Sequence, residues 1–413
     1  MKNLEITKCR LCNHGTFTKI LNFGYISLGN DLQDNFKNSL KTKKYLLCLI
    51  RCKSCSHFQL NNSVNPRVLY AKNYTYLSNT GLSFVKYLKE NSKKLIKKLN
   101  LRKKNIVLDI GSNDGTALSF YKQSGMKVCG VDPASKPAKI ANKKKIFTYN
   151  DFFSKKIVHK IFTKFGKADL IISHNTLAHV ENIHEIFENI YLALKKDGYF
   201  SFEIGYFKNV IENNYFDTIY HEHLDYHHAN PLASFLIKIG FSIIDIQTNK
   251  IQGGSLKILC KKDNKKKIYK KVKKFLTREK KTILYKSTYL KLWKKKIDEK
   301  MKKLEKLIKK KHKEKKIILG YGAPTKCVLL LNQSKINNNE IKNVVEDNSL
   351  KVSKFLPESG IKISSIQTLN AIKPDYLVIF AWNFAKDIIN KLKKMKIKTK
   401  VIIPLPKLKI IKL

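Results

Sequence analysis

No stretch of 18 consecutive apolar residues occurs in the sequence, so no membrane-spanning helix is expected. The first residues, Met1-Lys-Asn-Leu-Glu-Ile-Thr-Lys-Cys9, lack the apolar segment of a secretory leader, and the expected location is cytoplasmic. Arginine is scarce: residues 10, 51, 67, 102 and 278 are the only ones among 83 basic side chains, and the rest are lysine. Acidic residues number 31, which leaves a formal net charge of +52. Taken alone, that charge suggests nucleic acid or an anionic membrane surface. The lysines, however, spread along the whole chain instead of forming one stripe. They accompany abundant Asn and Ile, the residues that A/T-rich codon drift would enrich. The expectation is weak, salt-sensitive affinity for polyanions, with no specific nucleic acid and no membrane insertion.

With 413 residues, 43% of them apolar, the chain can build two or three cored domains. Of eight Cys, five fall within the first 55 residues. Cys9-Arg-Leu-Cys12 and Cys52-Lys-Ser-Cys55 form two Cys-x-x-Cys knuckles, each able to offer two thiolates to one metal. The interval between the knuckles is longer than usual, so an inserted hairpin is expected there. Four thiolates leave no open position, and the predicted zinc is structural. A redox pair is the alternative. Cys48 competes as a ligand, but the doublet spacing favours Cys52 and Cys55. Cys129, Cys260 and Cys327 lie in apolar runs and read as core thiols.

Four regions separate by pattern: 1–68, Cys-rich; 69–260, alternating strands and helices; 261–314, Lys-rich and helical; 315–413, strand–helix alternation again. In the third region Leu290, Trp293, Ile297, Met301, Leu304 and Ile308 recur at helical spacing, predicting one buried stripe and a solvated basic face. In the second, strands are expected at 105–110, 127–131, 146–149, 169–173 and 199–204, with a turn at Lys196-Asp-Gly198. A closing hairpin, 241–248 with 255–261, would supply an antiparallel edge strand. The fold class is α/β, a Rossmann-like sheet flanked by a small N-terminal zinc domain and a C-terminal Rossmann-like domain.

Gly111-Ser-Asn-Asp-Gly115 sits between an apolar strand and a helix, where glycines let a ligand approach the backbone. Asp132 ends the next strand and can accept hydrogen bonds from a ribose diol. NAD enzymes use the same layout, but with Gly-x-Gly-x-x-Gly instead of this Gly-x-x-x-Gly. Asp109 and Asp114 would repel a pyrophosphate and suit a cationic cofactor. These features favour S-adenosylmethionine, with NAD and a purely structural turn as rivals. There is no Asn/Asp-Pro-Pro-Tyr run to grip a nucleobase amine and no Pro-Cys nucleophile for cytosine C5, so a nucleobase acceptor is disfavoured.

Tyr220-His-Glu-His223-Leu-Asp-Tyr226-His-His228 concentrates four His in nine residues. Histidine is the usual general base near neutral pH. A second metal site and structural histidines are the alternatives, and the spacing is not the helical His-Glu-x-x-His. His179 follows the fourth strand, where strand ends open onto active sites, or it is structural.

Together with Tyr74-Thr-Tyr76-Leu-Ser78, Leu177-Ala-His179-Val, Gly253-Gly-Ser-Leu256, Gly320-Tyr-Gly-Ala-Pro324 with Lys326, Pro374-Asp-Tyr and Ala381-Trp-Asn383, these segments resemble the nucleotide-sugar C-methyltransferases in order and over nearly the whole chain. The resemblance implies carbon methylation of a nucleotide-linked 4-keto deoxysugar: a base makes an enolate, which attacks the sulfonium methyl. It implies His223 as that base, with Tyr220, Glu222, His179 and Tyr76 around the sugar. It further implies a cofactor site of Asp109, Gly111, Asn113, Gly115, Asp132 and Asn175. Lys326-Cys-Val replaces the common Lys-Gly-Asn, and Ser78-Asn-Thr-Gly81 departs from the common Ser-Gly start. The rival readings are O- or N-methylation of another small molecule, and a polyanion-binding protein with a decayed methyltransferase fold. A monomer or weak homodimer is expected.

Overall fold

The computed structural model describes residues 4–70 and 77–413. Two α/β units and an N-terminal antiparallel sheet share one continuous core, which runs from Cys9 and Leu21 through Phe202 and Trp293 to Ile402.

The N-terminal sheet is built on the hairpin expected between the Cys knuckles, Phe17–Ser27 against Lys44–Cys52. Phe58–Leu60 pairs next to it, and Asp225–Tyr226, far along the chain, adds the last strand.

The central sheet has seven strands: β1 Ile106–Ile110, β2 Lys127–Val131, β3 Thr148–Tyr149, β4 Ala168–His174, β5 Leu194–Gly205, β6 Ser242–Asn249 and β7 Ser255–Lys261. Their order is β6-β7-β5-β4-β1-β2-β3, the class I S-adenosylmethionine methyltransferase arrangement. All five residues of β1 are buried, as a parallel strand covered on both faces requires. Alternation splits them between two cores. Val107 joins Leu170 and Ile172 under Phe84, Leu88 and Leu118. Leu108 and Ile110 join Ile171 under Ile157, Ile161 and Phe187 on the other face.

Two details differ from the sequence expectation. The closing hairpin exists, but its antiparallel member is interior: β7 lies between β5 and β6, antiparallel to both, and β6 takes the edge. Burial explains this, since Leu256, Ile258 and Cys260 of β7 are wholly enclosed and a strand that apolar belongs inside. The turn predicted at Lys196-Asp-Gly198 is instead an irregularity within β5. The pairing register with β4 shifts between Leu194 and Tyr199, and Asp197 takes a φ of 62°.

Helix Ser287–Lys313 buries all six residues of its predicted stripe. It leads into the second α/β unit, whose strands β8 Ile318–Tyr321, β9 Asn343–Glu346, β10 Lys362–Ser365, β11 Tyr376–Ile379, β12 Lys400–Ile403 and β13 Lys409–Lys412 order as β10-β9-β8-β11-β12-β13. All neighbours in it are parallel except β12 and β13. Cys129, Cys260 and Cys327 are buried core thiols. Among the described residues, no helix is long and apolar enough to cross a membrane.

Candidate active site and metal centre

The first glycine loop leaves β1 at its C-terminal end. Gly111 has a φ of 74°, and a Cβ there would collide with Thr176, just past β4. Only glycine lets the two loops close up. Asp132, just past β2, braces the loop: Oδ2 accepts from Asn113 N at 2.8 Å and Oδ1 from Ala134 N at 2.8 Å. Asn113 Oδ1 in turn accepts from Ser78 N at 2.9 Å. Asp114 is engaged at the helix start, accepting from Thr116 Oγ1 at 2.7 Å, with Lys144 Nζ at 3.2 Å. Gly115, with a φ of 76°, opens helix Thr116–Gln123. Asn175 donates its backbone N–H to Glu203 O at 2.8 Å, fixing the turn after β4.

Asp109 and Ser112 are the exceptions in this otherwise well-bonded loop: Ser112 Oγ is buried with no hydrogen-bond partner, and Asp109 stands out as an acid. Its carboxylate is buried, and Oδ1 has no hydrogen-bond partner. Burial first, and Asp132 second, push its pKa well above the usual carboxylate range. A buried acid without a partner is costly by itself and favourable once a cation lies against it. A cationic nucleoside therefore fits the loop, and a pyrophosphate does not. Asp109, Gly111, Asn113, Gly115, Asp132 and Asn175, predicted at the cofactor, are all at this loop or at the ends of the strands beside it and could hold such a group.

Thr176 joins this loop to the histidines. Its carbonyl accepts from His179 N at 3.0 Å, and the His179 and His223 rings meet edge to face, centroids 4.8 Å apart. Leu224 N donates to Ala178 O at 2.8 Å, locking the two segments together. His223 Nδ1 lies 2.9 Å from Thr218 O. A carbonyl only accepts, so Nδ1 carries the proton and the Nε2 lone pair takes the Tyr220 hydroxyl at 2.9 Å. Burial, reinforced by His179, pushes the His223 pKa down to about 3, and burial brings His179 to about 4. Both rings are neutral at physiological pH.

Glu222 faces elsewhere. Its Oε1 accepts from Asn30 Nδ2 at 2.6 Å, while its backbone carbonyl accepts from His179 Nδ1 at 2.8 Å. Burial lifts its pKa to about 7 against the opposing effects of Asn30 and Lys351. Asn30 Oδ1 then accepts from Thr325 Oγ1 at 3.0 Å, so one asparagine ties all three parts of the chain together. Tyr76 lies outside the described residues. His221 and His228 bond backbone carbonyls of the N-terminal sheet region, Tyr45 O at 3.1 Å and Ser56 O at 3.0 Å. Neither approaches the Tyr220–His223 pair in that way.

Sequence reasoning missed Asn30, Thr176, Asp217 and Thr325. Each acts through a partner distant in sequence, so spacing carried no signal. The rarity of tryptophan did carry one, because Trp382 bonds Asp217.

In the N-terminal sheet the four knuckle sulfurs lie within 4.8 Å of one another. Cys9 to Cys55 is 3.6 Å and Cys12 to Cys52 is 3.5 Å. Tetrahedral zinc with Zn–S of about 2.3 Å spaces its sulfurs about 3.8 Å apart, so the quartet fits that ion. Cys48 is not part of it. The knuckle also supports the histidine segment. Buried His57, two residues past Cys55, meets Asp225 Oδ1 at 2.8 Å, and Arg10 within the first knuckle donates to Glu181 O at 2.8 Å.

Comparison with known proteins matches three family models in order along the chain. Residues 9–70 match the "Putative zinc binding domain", 84–246 the "Methyltransferase domain" and 250–406 the "C-methyltransferase C-terminal domain". Over 410 residues the chain is 27% identical to C-methyltransferase NovU of Streptomyces niveus, covering 98% of this chain and 97% of that one. Among solved structures, magnesium protoporphyrin IX methyltransferase of Synechocystis PCC 6803 overlaps 48% of this chain and 92% of its own, at 15% identity and a TM-score of 0.36. The 1,6-didemethyltoxoflavin-N1-methyltransferase of Burkholderia thailandensis overlaps 43% and 78%, at 17% identity and a TM-score of 0.33. Overlaps that loose carry no detail of the site across.

Proposed function

We propose that this chain, an S-adenosylmethionine-dependent methyltransferase with the three domains of the C-methyltransferases, methylates the carbon beside the ketone of a nucleotide-linked 4-keto deoxysugar, with His223 as the base. The observation that carries the reading is the fixed tautomer of His223. Thr218 O holds its Nδ1–H, which leaves the Nε2 lone pair facing the Tyr220 hydroxyl, on a segment joined through His179 and Thr176 to the glycine loop. The similarity to C-methyltransferase NovU supports carbon as the accepting atom.

Bound S-adenosylmethionine supplies an electrophilic methyl group. The residues do the rest. His223 Nε2 removes the proton α to the ketone, and the electron pair moves onto the ketone oxygen as an enolate. The enolate carbon would then form the new C–C bond as the S–CH3 bond breaks, with S-adenosylhomocysteine leaving as the neutral thioether, the ketone re-forming and the proton on Nε2 returning to solvent. Tyr220 OH occupies the Nε2 lone pair before substrate arrives, so the acceptor must displace it. Once displaced, that hydroxyl can donate to the enolate oxygen. A base with a pKa near 3 is weak, but a negative oxygen forming within a few ångströms favours the imidazolium and restores its basicity. His179, whose ring meets that of His223, is proposed at the sugar with Glu222 behind it through its backbone carbonyl, Tyr76 is proposed there from the resemblance alone, and Asp109, Gly111, Asn113, Gly115, Asp132 and Asn175 are proposed at the cofactor. The proposed division of labour follows the chain: zinc domain 1–68, methyltransferase domain 69–260, helical connection 261–314 and C-terminal domain 315–413.

The test uses S-adenosylmethionine carrying a 13C methyl and a panel of nucleotide-linked 4-keto-6-deoxysugars. A product methyl resonance in the C–CH3 range, coupled to ring carbon, is expected. A methyl in the O–CH3 or N–CH3 range, or no transfer to any keto sugar, overturns the reading.

A further inference from the structure

Both tryptophans of the chain donate their indole N–H to the short segment that ends on His223. Trp293 Nε1, in the connecting helix, bonds Asn214 Oδ1 at 2.7 Å. Trp382 Nε1, past β11 in the C-terminal unit, bonds Asp217 Oδ2 at 2.5 Å. Lys326, past the second glycine loop, adds its Nζ 3.5 Å from the same oxygen and 3.7 Å over the Trp382 ring. Tyr215 packs against that indole with centroids 4.6 Å apart and the rings tilted by 32°. Asp217 is wholly buried and is next in sequence to Thr218, whose carbonyl fixes the His223 tautomer.

Buried charge is expensive unless paired and hydrogen-bonded, yet the carboxylate, the ammonium and the indole converge within one residue of the carbonyl that orients the base. A shift of Asp217 moves Thr218 O, and with it the imidazole. Resting on the reading of His223 as base, we infer that Asp217, Lys326 and Trp382 are positioning residues. Through them the C-terminal unit and its connecting helix set the orientation of the base, in addition to any part in binding substrate.

Trp382→Phe keeps an aromatic ring there but removes the indole N–H together with its five-membered ring, so it is read beside Asp217→Asn, which keeps the Trp382 packing. Asp217→Asn, Lys326→Met and Lys326→Arg complete the set. Misplacing the base by a fraction of an ångström should lower kcat for proton abstraction and for methyl transfer by roughly 10- to 100-fold. KM for S-adenosylmethionine and zinc content should stay at wild-type values, and Lys326→Arg should recover most of the loss. A substrate-free readout comes from 15N-histidine NMR. The hydrogen-bonded Nδ1–H of His223, identified by its loss in His223→Gln, should shift or broaden in Trp382→Phe and Asp217→Asn. An unmoved His223 signal in both variants overturns the inference. So does a rise in KM with kcat intact, which would make the trio a binding element. The NMR result holds whether or not His223 proves to be the base, so failure of the positioning role and failure of the base assignment are told apart.

Discussion

The chain builds the same device twice and finishes it in two ways. In each α/β unit, β1 or β8 runs into a glycine with positive φ, and a carboxylate at the end of the adjacent strand braces the loop. Asp132 accepts from Asn113 N, and Glu346 Oε2 accepts from Ala323 N, both at 2.8 Å. Gly111 is forced by Thr176, and Gly322, with a φ of 84°, by Ala381. The difference lies under the loop. Beneath the first, Asp109 is buried with an unpartnered oxygen. At the second, the position matching Asp109 is Gly320, against which Phe380 packs, and the Tyr321 hydroxyl bonds Asp347. The following residues, Thr325 and Lys326, reach Asn30 and Asp217 in the rest of the chain. One topology therefore leaves a buried carboxyl oxygen without a partner under the first loop, and under the second puts a glycine and aromatic packing whose following residues dock onto the rest of the chain.

The comparison breaks most visibly if the metal is removed. The zinc domain holds Asn30 and pairs Phe58–Leu60 with Asp225–Tyr226, so chelation should abolish methyl transfer. It should leave S-adenosylhomocysteine affinity within about threefold, because small ligands depend on their own pocket. Calorimetry on the chelated protein checks this, and loss of both together would merge the two units functionally.

Next in size are the glycine substitutions. Gly111→Ala meets a positive φ and a colliding Thr176, a strain of roughly 1–3 kcal/mol. That corresponds to about 5- to 150-fold weaker cofactor binding if the strain falls on the bound loop. Gly322→Ala should leave that affinity unchanged and instead lower the melting temperature by several degrees.

Asp109→Asn should have opposite effects on the two states. Loss of a charge-assisted contact of about 1.5–3 kcal/mol weakens cofactor binding by roughly 10- to 150-fold. The ligand-free protein should become no less stable. The raised pKa means that the native state binds more protons than the unfolded state above the unfolded value of 3.8, so wild-type stability falls as pH rises through that window. The Asn variant lacks that fall, and its relative stability should increase with pH in thermal melts.

The smallest effect is on pH dependence. With His223 at about 3, deprotonation of the base imposes no acid limb between about pH 8 and pH 5. A modest inflection near 7 is expected from Glu222, at about 7. Glu222→Gln should remove it in kcat/KM profiles.

Local features of this architecture were legible in the sequence because their physics is local. The zinc quartet, the hairpin between its halves, the glycine loop and the six-residue stripe of helix Ser287–Lys313 all follow from spacing. What stayed hidden joins residues far apart. Asp217 with Trp382, and Asn30 with Glu222 and Thr325, have no common period, and only the folded chain brings them together. The interior position of β7 was hidden for the same reason, since a hairpin pattern fixes pairing between two strands but not which of them meets β5. Asp109 was chosen for its charge, but its missing partner could be seen only once everything around it was placed.

The most direct test of the account is solvent-deuterium exchange at the carbon beside the ketone, run with S-adenosylhomocysteine in place of the methyl donor. Wild type should exchange that proton stereospecifically, and His223→Gln should lose the exchange while still binding S-adenosylhomocysteine. Exchange that survives in His223→Gln would contradict the central claim that this histidine, fixed by Thr218, makes the carbon nucleophile.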